Sequence, residues 1–391
     1  MKKIVATILV FATALTFVLT GCAATPAASS QPASSAPAAT AAPVSSAPAS
    51  SAAPAASASA PASAAASATP VAHMVDGAKL VVYSGLSEAD MTALSAAYKK
   101  DTGNDMSYVV GNIGDLTARV EAEKANPQAD ILLGGSVDVY DPLGKKGDFL
   151  AYSSSANKDL DSRFNDPNGF WQGWYMGVLC ILYNPDRFNK LIAPKGVSVP
   201  QTWDDLLNPA YKGEFLMGDP ATAGGSRVFV ADQIFRLGET QAWDYMKKLD
   251  ANVAQYTAGA TTNIPLIGKG EFTIGMSWAH DTYKAKASGQ PINIVIPADT
   301  AYEIGGSAII KDAPNTDNAK AFIDWLLSKP TQELNTATSK RYPVRTDVAS
   351  PDGLPALADV KLVNYDRAKA GSMQDAIKST FASQIMANRP K

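Results

Sequence analysis

The sequence predicts an α/β protein whose folded part is divided into two lobes. From residue 79 onward, short apolar runs alternate with segments of helical periodicity, which is typical of a parallel sheet covered by helices. The apolar run 171–183 is too long for one edge strand, so we interpret it as a strand that crosses into a second lobe. A strand pattern at 307–310 returns to the first lobe. We therefore expect lobe 1 at about 76–180 and 300–391, and lobe 2 at about 181–299.

The first 22 residues have the pattern of a lipoprotein signal peptide. Lys2-Lys3 precedes the apolar run 4–19, which is short for a lasting membrane span. The next residues, Leu19-Thr20-Gly21-Cys22, resemble a lipobox, in which the cysteine is acylated and the preceding peptide is removed. The alternative is a cleaved signal with an incidental cysteine. The first interpretation predicts a protein held by its lipid at Cys22 on the outer face of the cell membrane.

Residues 23–75 are predicted to be a disordered linker. They are Ala, Ser and Pro with almost no charged or aromatic side chains, so they cannot bury enough apolar surface to offset the entropy of ordering. A flexible chain of this length spans roughly 40 Å, and a Pro-stiffened one about 150 Å. The net charge of −3, without a large basic block, argues against nucleic acid as a partner. Cys180 would have no intramolecular partner if Cys22 is acylated, and we expect it to be a buried apolar side chain.

Two strand-to-helix turns in the first lobe carry small residues. Apolar strands are predicted at 79–83, 105–110 and 130–133, with helices after the first two and a short helix after the third. Glycine in such turns lets a ligand approach the backbone, and free amides at a helix start favour an anion. Ordinary tight turns have the same composition. The candidate ligand contacts are Ser84, Gly135 and Ser136.

A third turn, 219–226, is the strongest candidate for binding an anion. It is rich in glycine and hydroxyl residues, and it precedes the apolar-periodic run 228–237. It is not a nucleotide-binding phosphate loop, because the Gly-Lys-Ser/Thr ending is missing. The alternative is a plain capped helix, and Arg227 is either a charged partner or a solvent-exposed side chain. The candidate contacts are Thr222, Gly224, Gly225 and Ser226.

His280 and Asp281 lie where a predicted strand, 272–276, gives way to a segment of helical composition, 281–288. In open α/β sheets this edge is where ligands bind. The chain has two histidines, and the other, His73, lies in the low-complexity tract, so His280 is the imidazole of the folded part. The alternative is that His280 only caps the helix that Asp281 begins.

The residues argue against an enzyme and against a resident metal or cofactor. The base of a hydrolase would have to be His280, and the adjacent Asp281 is poorly placed to orient it. The Gly-x-Ser-x-Gly motif of the α/β-hydrolases does not occur. Too few histidines and cysteines are present for a typical zinc site. We therefore predict no catalytic residues, no metal ligands and no cofactor.

Several phrases taken together resemble the extracellular solute-binding proteins of ATP-binding-cassette (ABC) importers. The resemblance covers the chain from about residue 79 to its end, in the group that contains ferric-iron, sugar-phosphate and phosphonate binders. It implies a type II periplasmic-binding-protein fold, in which two lobes joined by two crossovers close on the solute. It also implies permease and ATPase partners for a monomeric protein. The phrases are Thr202-Trp203-Asp204-Asp205-Leu206-Leu207, Asp219-Pro220-Ala221-Thr222, Ser277-Trp278-Ala279-His280-Asp281, Tyr302-Glu303-Ile304-Gly305-Gly306 and Tyr342-Pro343-Val344-Arg345.

Within this group, the resemblance favours a small anionic solute. Ferric binders resemble one another in an adjacent Tyr pair after the strand that corresponds to 272–276, where this chain has Ala279-His280-Asp281, a poorer ferric set. Similarity to the hexose-phosphate branch implies that His280, Asp281 and Glu303 contact sugar hydroxyls while the Ser/Thr/Gly turns hold the phosphate. An aminoalkylphosphonate would place its ammonium on the carboxylates. A ferric-iron importer component and a sensor subunit that presents ligand to a membrane kinase are the alternatives.

Overall fold

The computed structural model of the protein describes residues 79–389, which form a mixed sheet flanked by helices. The predicted signal peptide (1–22) and linker (23–75) lie outside the described residues. The strands are β1 (Leu80–Ser84), β2 (Met106–Val110), β3 (Ile131–Ser136), β4 (Phe149–Leu150), β5 (Gln172–Tyr183), β6 (Phe215–Gly218), β7 (Val253–Thr257), β8 (Ile274–Trp278), β9 (Asn293–Val295), β10 (Tyr302–Ile310) and β11 (Tyr342–Pro343).

Helices connect most of these strands. None of the helices within residues 79–389 has the length and hydrophobicity that crossing a membrane requires. The α-helices are α1 (Glu88–Thr102), α2 (Ile113–Ala122), α3 (Tyr140–Lys146), α4 (Pro185–Leu191), α5 (Gly224–Leu237), α6 (Glu239–Asp250), α7 (Asn263–Gly268), α8 (Ala279–Ala287), α9 (Thr316–Leu326), α10 (Lys329–Thr338), α11 (Arg367–Ser372) and α12 (Gln374–Gln384).

The sheet has the strand order β2-β1-β3-β10-β5-β8-β6-β7. Strand β1 is parallel to β2 and β3, and β6 is parallel to β7 and β8. The parallel pairing predicted from the alternation of strands and helices is found in both sets of strands, but the sheet is mixed at its centre, because β10 is antiparallel to β3 and β5, and β5 is antiparallel to β8. Strand β5 carries the chain from lobe 1 to lobe 2, and β10 carries it back, so these two strands run in opposite directions.

Strand β5 belongs to both lobes. Its first part pairs with β10, where Gly177 lies opposite Glu303, and its last part pairs with β8, where Leu179 lies opposite Trp278. All but the last of its side chains are buried, as the long apolar run at 171–183 requires. The two-lobed α/β fold with two crossover strands is thereby confirmed.

Each lobe has a hydrophobic core of its own. In lobe 1, Tyr98 on α1 packs edge-on against Trp325 on α9, with ring centroids 5.2 Å apart. In lobe 2, Trp203 packs edge-on against Phe229 on α5, with centroids 5.0 Å apart. Because each core is formed within one lobe, each lobe can keep its packing when the space between them changes.

The C-terminal helices pack on lobe 2. We expected all of 300–391 in lobe 1, and this is wrong for the last part of the chain. Ile377, Phe381 and Ile385 are buried in the lobe 2 core, and the ring of Phe381 meets that of Tyr256 at 5.2 Å. The spacing of Ile377 and Phe381 shows that α12 has one apolar face. It does not show which lobe that face covers.

Candidate ligand-binding cleft

A cleft of about 240 Å³ lies between the two lobes. It is lined by the turns that follow β1, β2 and β3 on one side and β6, β7 and β8 on the other, so it lies at the carboxyl ends of both sets of parallel strands. This is the position at which open α/β sheets bind ligands. The residues that line the cleft at or just after these six strand ends are Gly85, Asn112, Gly135, Gly224, Ala260 and Trp278.

The cleft brings together eight of the ten residues proposed from the sequence. The side chains of the other two, Ser84 and Ser226, are fully buried and do not line it. The Ser84 hydroxyl accepts a hydrogen bond from the Leu86 amide at 3.1 Å, and the Ser226 hydroxyl lies 4.0 Å from Met276 Sδ. The eight are Gly135, Ser136, Thr222, Gly224, Gly225, His280, Asp281 and Glu303.

The start of α5 presents unpaired backbone amides to the cleft. Its N-cap residue, Ala223, provides no side-chain cap, and the helical bonds begin with the Arg227 amide donating to the Ala223 carbonyl at 3.2 Å. The amides of Gly224, Gly225 and Ser226 therefore lack helical partners. No acidic side chain lies in the first turn to offset the positive end of the helix. This end of the cleft suits an oxyanion.

Thr222 lines the cleft but its donors are already used. Its hydroxyl donates to the Ala258 carbonyl at 2.9 Å, and its amide donates to the Asp219 carbonyl at 3.0 Å. The neighbouring turn 258–261, which follows β7 and which sequence analysis did not single out, lines the cleft beside it. A phosphate at this end would therefore take its hydrogen bonds from the α5 amides rather than from the Thr222 hydroxyl.

His280 is buried at the second position of α8, with 2% of its surface exposed. The N-cap of α8 is Trp278, so the alternative that His280 caps this helix is wrong. Its Nε2 lies 3.3 Å from Oδ2 of Asp281, and its Nδ1 has no hydrogen-bond partner. The side chains of His280 and Glu303 pack closely against the backbone of β5 at Gly177. A Cβ at this position would lie 2.8 Å from His280 Cε1 and 3.3 Å from Glu303 Oε1, so the position requires glycine.

The side chains of His280, Asp281 and Glu303 differ in charge at neutral pH. Burial lowers the pKa of His280, so its imidazole is neutral at pH 7. Burial acts to raise the pKa of Asp281, but the contact with His280 and the cations Arg341 and Lys284 outweigh it and hold the pKa below its usual range. Burial raises the pKa of Glu303 to about 7, although Arg341 acts against that rise. The cleft thus holds a neutral imidazole, an ionised carboxylate and a carboxyl that titrates near neutral pH.

Arg341, which sequence analysis did not identify, lies beside the carboxylates of Asp90 and Asp281. It is 5% exposed, its Nη1 donates to Asp90 Oδ2 at 2.7 Å, and its Nη2 lies 4.0 Å from Asp281 Oδ1. The guanidinium also lies over the ring of Tyr175, 4.8 Å from its centroid. Lys284 completes the group with a contact of 3.0 Å to Asp90 Oδ1. Two cations therefore offset Asp90 and Asp281.

Asp138 and Tyr175 are two further cleft residues that local patterns did not reveal. Asp138 is 4% exposed, its Oδ1 has no partner, and burial raises its pKa to about 6. Tyr175 lines the same cleft as Glu303 and Gly135, and its ring lies under the Arg341 guanidinium. Among residues 79–389, no group of three or more His, Cys, Asp or Glu side chains is arranged to hold a metal ion.

Glu303→Gln is expected to change how stability depends on pH. The folded-state pKa of Glu303, about 7, lies above its ordinary value of 4.5, so the folded protein keeps this proton longer than the unfolded chain does. The wild type should therefore lose stability relative to the variant as pH rises from 4.5 to 7, by at most about 3 kcal/mol. Denaturant unfolding across this range, without added solute, measures the difference.

The exposed Glu333, whose side chain is 53% exposed, provides the control. Glu333→Gln should give a pH profile parallel to that of the wild type. If the Glu303→Gln and wild-type profiles run parallel as well, Glu303 titrates at its ordinary pKa and its proposed environment is wrong.

The chain is similar in sequence to several bacterial proteins. Residues 126–370 match the model of the family described as bacterial extracellular solute-binding protein. An uncharacterized protein of Haemophilus influenzae is 34% identical over 304 residues, which cover 76% of this chain and 87% of that protein. A putative 2-aminoethylphosphonate-binding periplasmic protein of Salmonella typhimurium is 27% identical over 285 residues, 70% of this chain and 81% of that protein.

Solved structures agree with this match. The periplasmic binding protein AfuA from Actinobacillus pleuropneumoniae, solved with exogenous fructose-6-phosphate bound, superimposes with a TM-score of 0.74 at 31% identity, covering 80% of this chain and 99% of that one. Iron-bound HitA from Pseudomonas aeruginosa has a TM-score of 0.69 at 21% identity, covering 77% and 98%, and shares the fold alone. The chain therefore belongs to the bacterial extracellular solute-binding protein family and has its type II periplasmic-binding-protein fold.

Proposed function

We propose that the protein is the solute-binding component of an ABC importer and that it captures a small phosphorylated solute, with a hexose phosphate as the favoured ligand. The observation that carries this proposal is the pairing of two chemistries in one cleft. Free amides at the start of α5 lie on the lobe 2 side, and the buried His280 and Glu303 lie with the partly exposed Asp281 in the same space. A phosphate suits the amides, and hydroxyls suit the acids.

The charge at the acid end favours sugar hydroxyls over an ammonium group. Arg341 and Lys284 offset the charges of Asp90 and Asp281, and Glu303 is partly protonated at neutral pH. A cationic ligand would prefer uncompensated carboxylates, which this group does not provide. The hydroxyls of a neutral polyol can donate to the carboxylate oxygens of Asp281.

The relatives support the same solute class. AfuA, which was solved with fructose-6-phosphate, is 31% identical to this chain. The Salmonella relative carries the description 2-aminoethylphosphonate-binding, at 27% identity. Both solutes present a tetrahedral oxyanion, which the α5 amides suit. The two differ at the other end, where the charge balance described above favours the polyol.

The remaining features fit delivery of solute to a membrane transporter. A relative from Sinorhizobium fredii, 28% identical over 293 residues, is described as a probable ABC transporter periplasmic-binding protein. We propose that the mature protein starts at an acylated Cys22 and that residues 23–75 tether the two-lobed domain, as a monomer, outside the cell membrane. Closure of the lobes would capture the solute, and permease and ATPase subunits would receive it. We propose no enzymatic activity.

Calorimetry and thermal unfolding of the purified protein test the solute. The panel is fructose 6-phosphate, glucose 6-phosphate, 2-aminoethylphosphonate, free fructose, inorganic phosphate and Fe³⁺. We expect the hexose phosphates to bind most tightly, with a stabilisation of about 2.7 kcal/mol at a concentration 100 times the dissociation constant. Tighter binding of 2-aminoethylphosphonate would reverse the choice of polyol over ammonium. Stabilisation by Fe³⁺ alone would overturn the proposed class of solute.

A further inference from the structure

Arg227 is fixed beside the open start of α5. Its Nε donates to Oε1 of Gln374 at 2.7 Å, and its Nη1 donates to the Pro220 carbonyl at 2.9 Å. The remaining nitrogen, Nη2, lies 3.8 Å from the place that a Cβ on Gly224 would occupy. Arg227 lines the same cleft as the α5 amides. Its guanidinium is therefore held next to these amides rather than extended into solvent.

This cation has no carboxylate partner at the cleft. Burial lowers the pKa of Arg227, and the one carboxylate that opposes this effect, Asp375, already pairs with Lys378 at 3.0 Å. Arg236, near the other end of α5, shows the usual arrangement, because it pairs with Asp204 at 2.7 Å. A partly buried positive charge at the positive end of a helix is unfavourable by itself. Local conflicts of this kind are expected at functional sites.

An anion at the start of α5 would remove the conflict. It would meet the backbone amides at the start of α5 and the remaining nitrogen of the Arg227 guanidinium, Nη2, which would be a charged donor to a phosphoryl oxygen. The same cleft also contains buried polar atoms without partners, namely His280 Nδ1 and Arg341 Nε.

We infer that Arg227 reads the charge of the solute and makes the site selective for a doubly charged phosphate ester over a singly charged ester of the same shape. This inference rests on the proposed function. Neutral amides and the helix dipole attract both kinds of oxyanion, whereas a full positive charge gains more from the second negative charge. The selectivity therefore depends on Arg227 rather than on the amides.

The test compares glucose 6-phosphate with glucose 6-sulfate by calorimetry at pH 8, where the phosphate ester carries about two negative charges because its second pKa is about 6. The wild type should bind the phosphate ester at least about tenfold more tightly. Arg227→Met should weaken phosphate binding by at least about tenfold and sulfate binding much less, so that the preference shrinks. Arg227→Lys should restore part of the preference, because it keeps the charge but loses the planar fork.

Arg236→Met is the matched control on the same helix and should leave both affinities unchanged. Equal weakening of both esters by Arg227→Met, or no weakening, would overturn the charge-reading role while leaving the proposed function intact. If the wild type binds neither ester, the proposed function itself fails. Should Arg227→Met unfold, Arg227→Gln decides in its place, because it also removes the charge but keeps a polar side chain. An unchanged ratio of the two affinities in that variant would overturn the charge-reading role.

Discussion

Replacing Arg341 by methionine is expected to lower the free energy of unfolding by about 3–5 kcal/mol. The guanidinium is 5% exposed and donates to Asp90 at 2.7 Å, close to Asp281 and Glu303. Methionine has a similar length but no charge, so the variant would leave these acids buried with Lys284 as their remaining cation. The cost comes mainly from the uncompensated carboxylates rather than from the loss of one attractive pair.

Arg345, four residues further along, is the matched control. It pairs with Asp347 and Asp159, whose side chains are 49% and 45% exposed, so solvent screens these pairs. Arg345→Met should cost less than about 1 kcal/mol. Denaturant unfolding of the two variants measures the difference. Equal and small losses would show that the acids beside Arg341 are already neutral or solvated, and the electrostatic description of this end of the cleft would be wrong.

The parts of the site that could be predicted from sequence are those with a local signal. Each of three segments lies where an apolar strand gives way to a helix: 134–136 at the end of β3, 222–226 at the start of α5, and His280-Asp281 at the start of α8. In an α/β fold such turns meet at one edge of the sheet, whatever the intervening chain does. That rule is sufficient to place most of the proposed residues in one cleft.

The direction of a side chain within such a turn was not predictable. Ser84 and Ser226 occupy the expected turns, yet both hydroxyls point into the protein and find partners there. Thr222 faces the cleft, but its hydroxyl is used by the Ala258 carbonyl, which lies 36 residues away in the chain. The composition of a turn shows that hydroxyls are present. Tertiary contacts decide whether they are free.

Contacts between segments that are distant in the chain could not be predicted from the sequence either. Arg341 meets Asp90 across 251 residues, and nothing in the spacing around either residue indicates the pairing. Asp138 lies two residues beyond Ser136, and nothing in the spacing there shows that its carboxyl is buried. The placement of α12 on lobe 2 has the same cause, since an amphipathic helix does not specify its partner.

Gly224→Pro is expected to weaken binding of fructose 6-phosphate by at least about tenfold. Proline is tolerated at the first position of a helix, where its missing N–H has no helical partner to lose. The preceding residue, Ala223, is already extended, with φ −93° and ψ 111°, as a residue before proline must be. The substitution therefore removes one of the amides proposed to hold the phosphate and leaves the helix intact.

Gly224→Ala is the control, because it adds a side-chain carbon and keeps the amide. A Cβ at this position would meet Arg227 Nη2 at 3.8 Å, an ordinary contact. Both variants should unfold at temperatures close to that of the wild type in the absence of solute. Any loss of affinity that is confined to the proline variant then reports on the amide itself.

Calorimetric titration of fructose 6-phosphate into these two variants is the measurement that tests most directly whether α5 holds the oxyanion. We predict that Gly224→Ala binds within about threefold of the wild type and that Gly224→Pro binds at least about tenfold more weakly than Gly224→Ala. Equal affinities for the two variants would contradict the account, because the phosphate would then have to be bound elsewhere in the cleft.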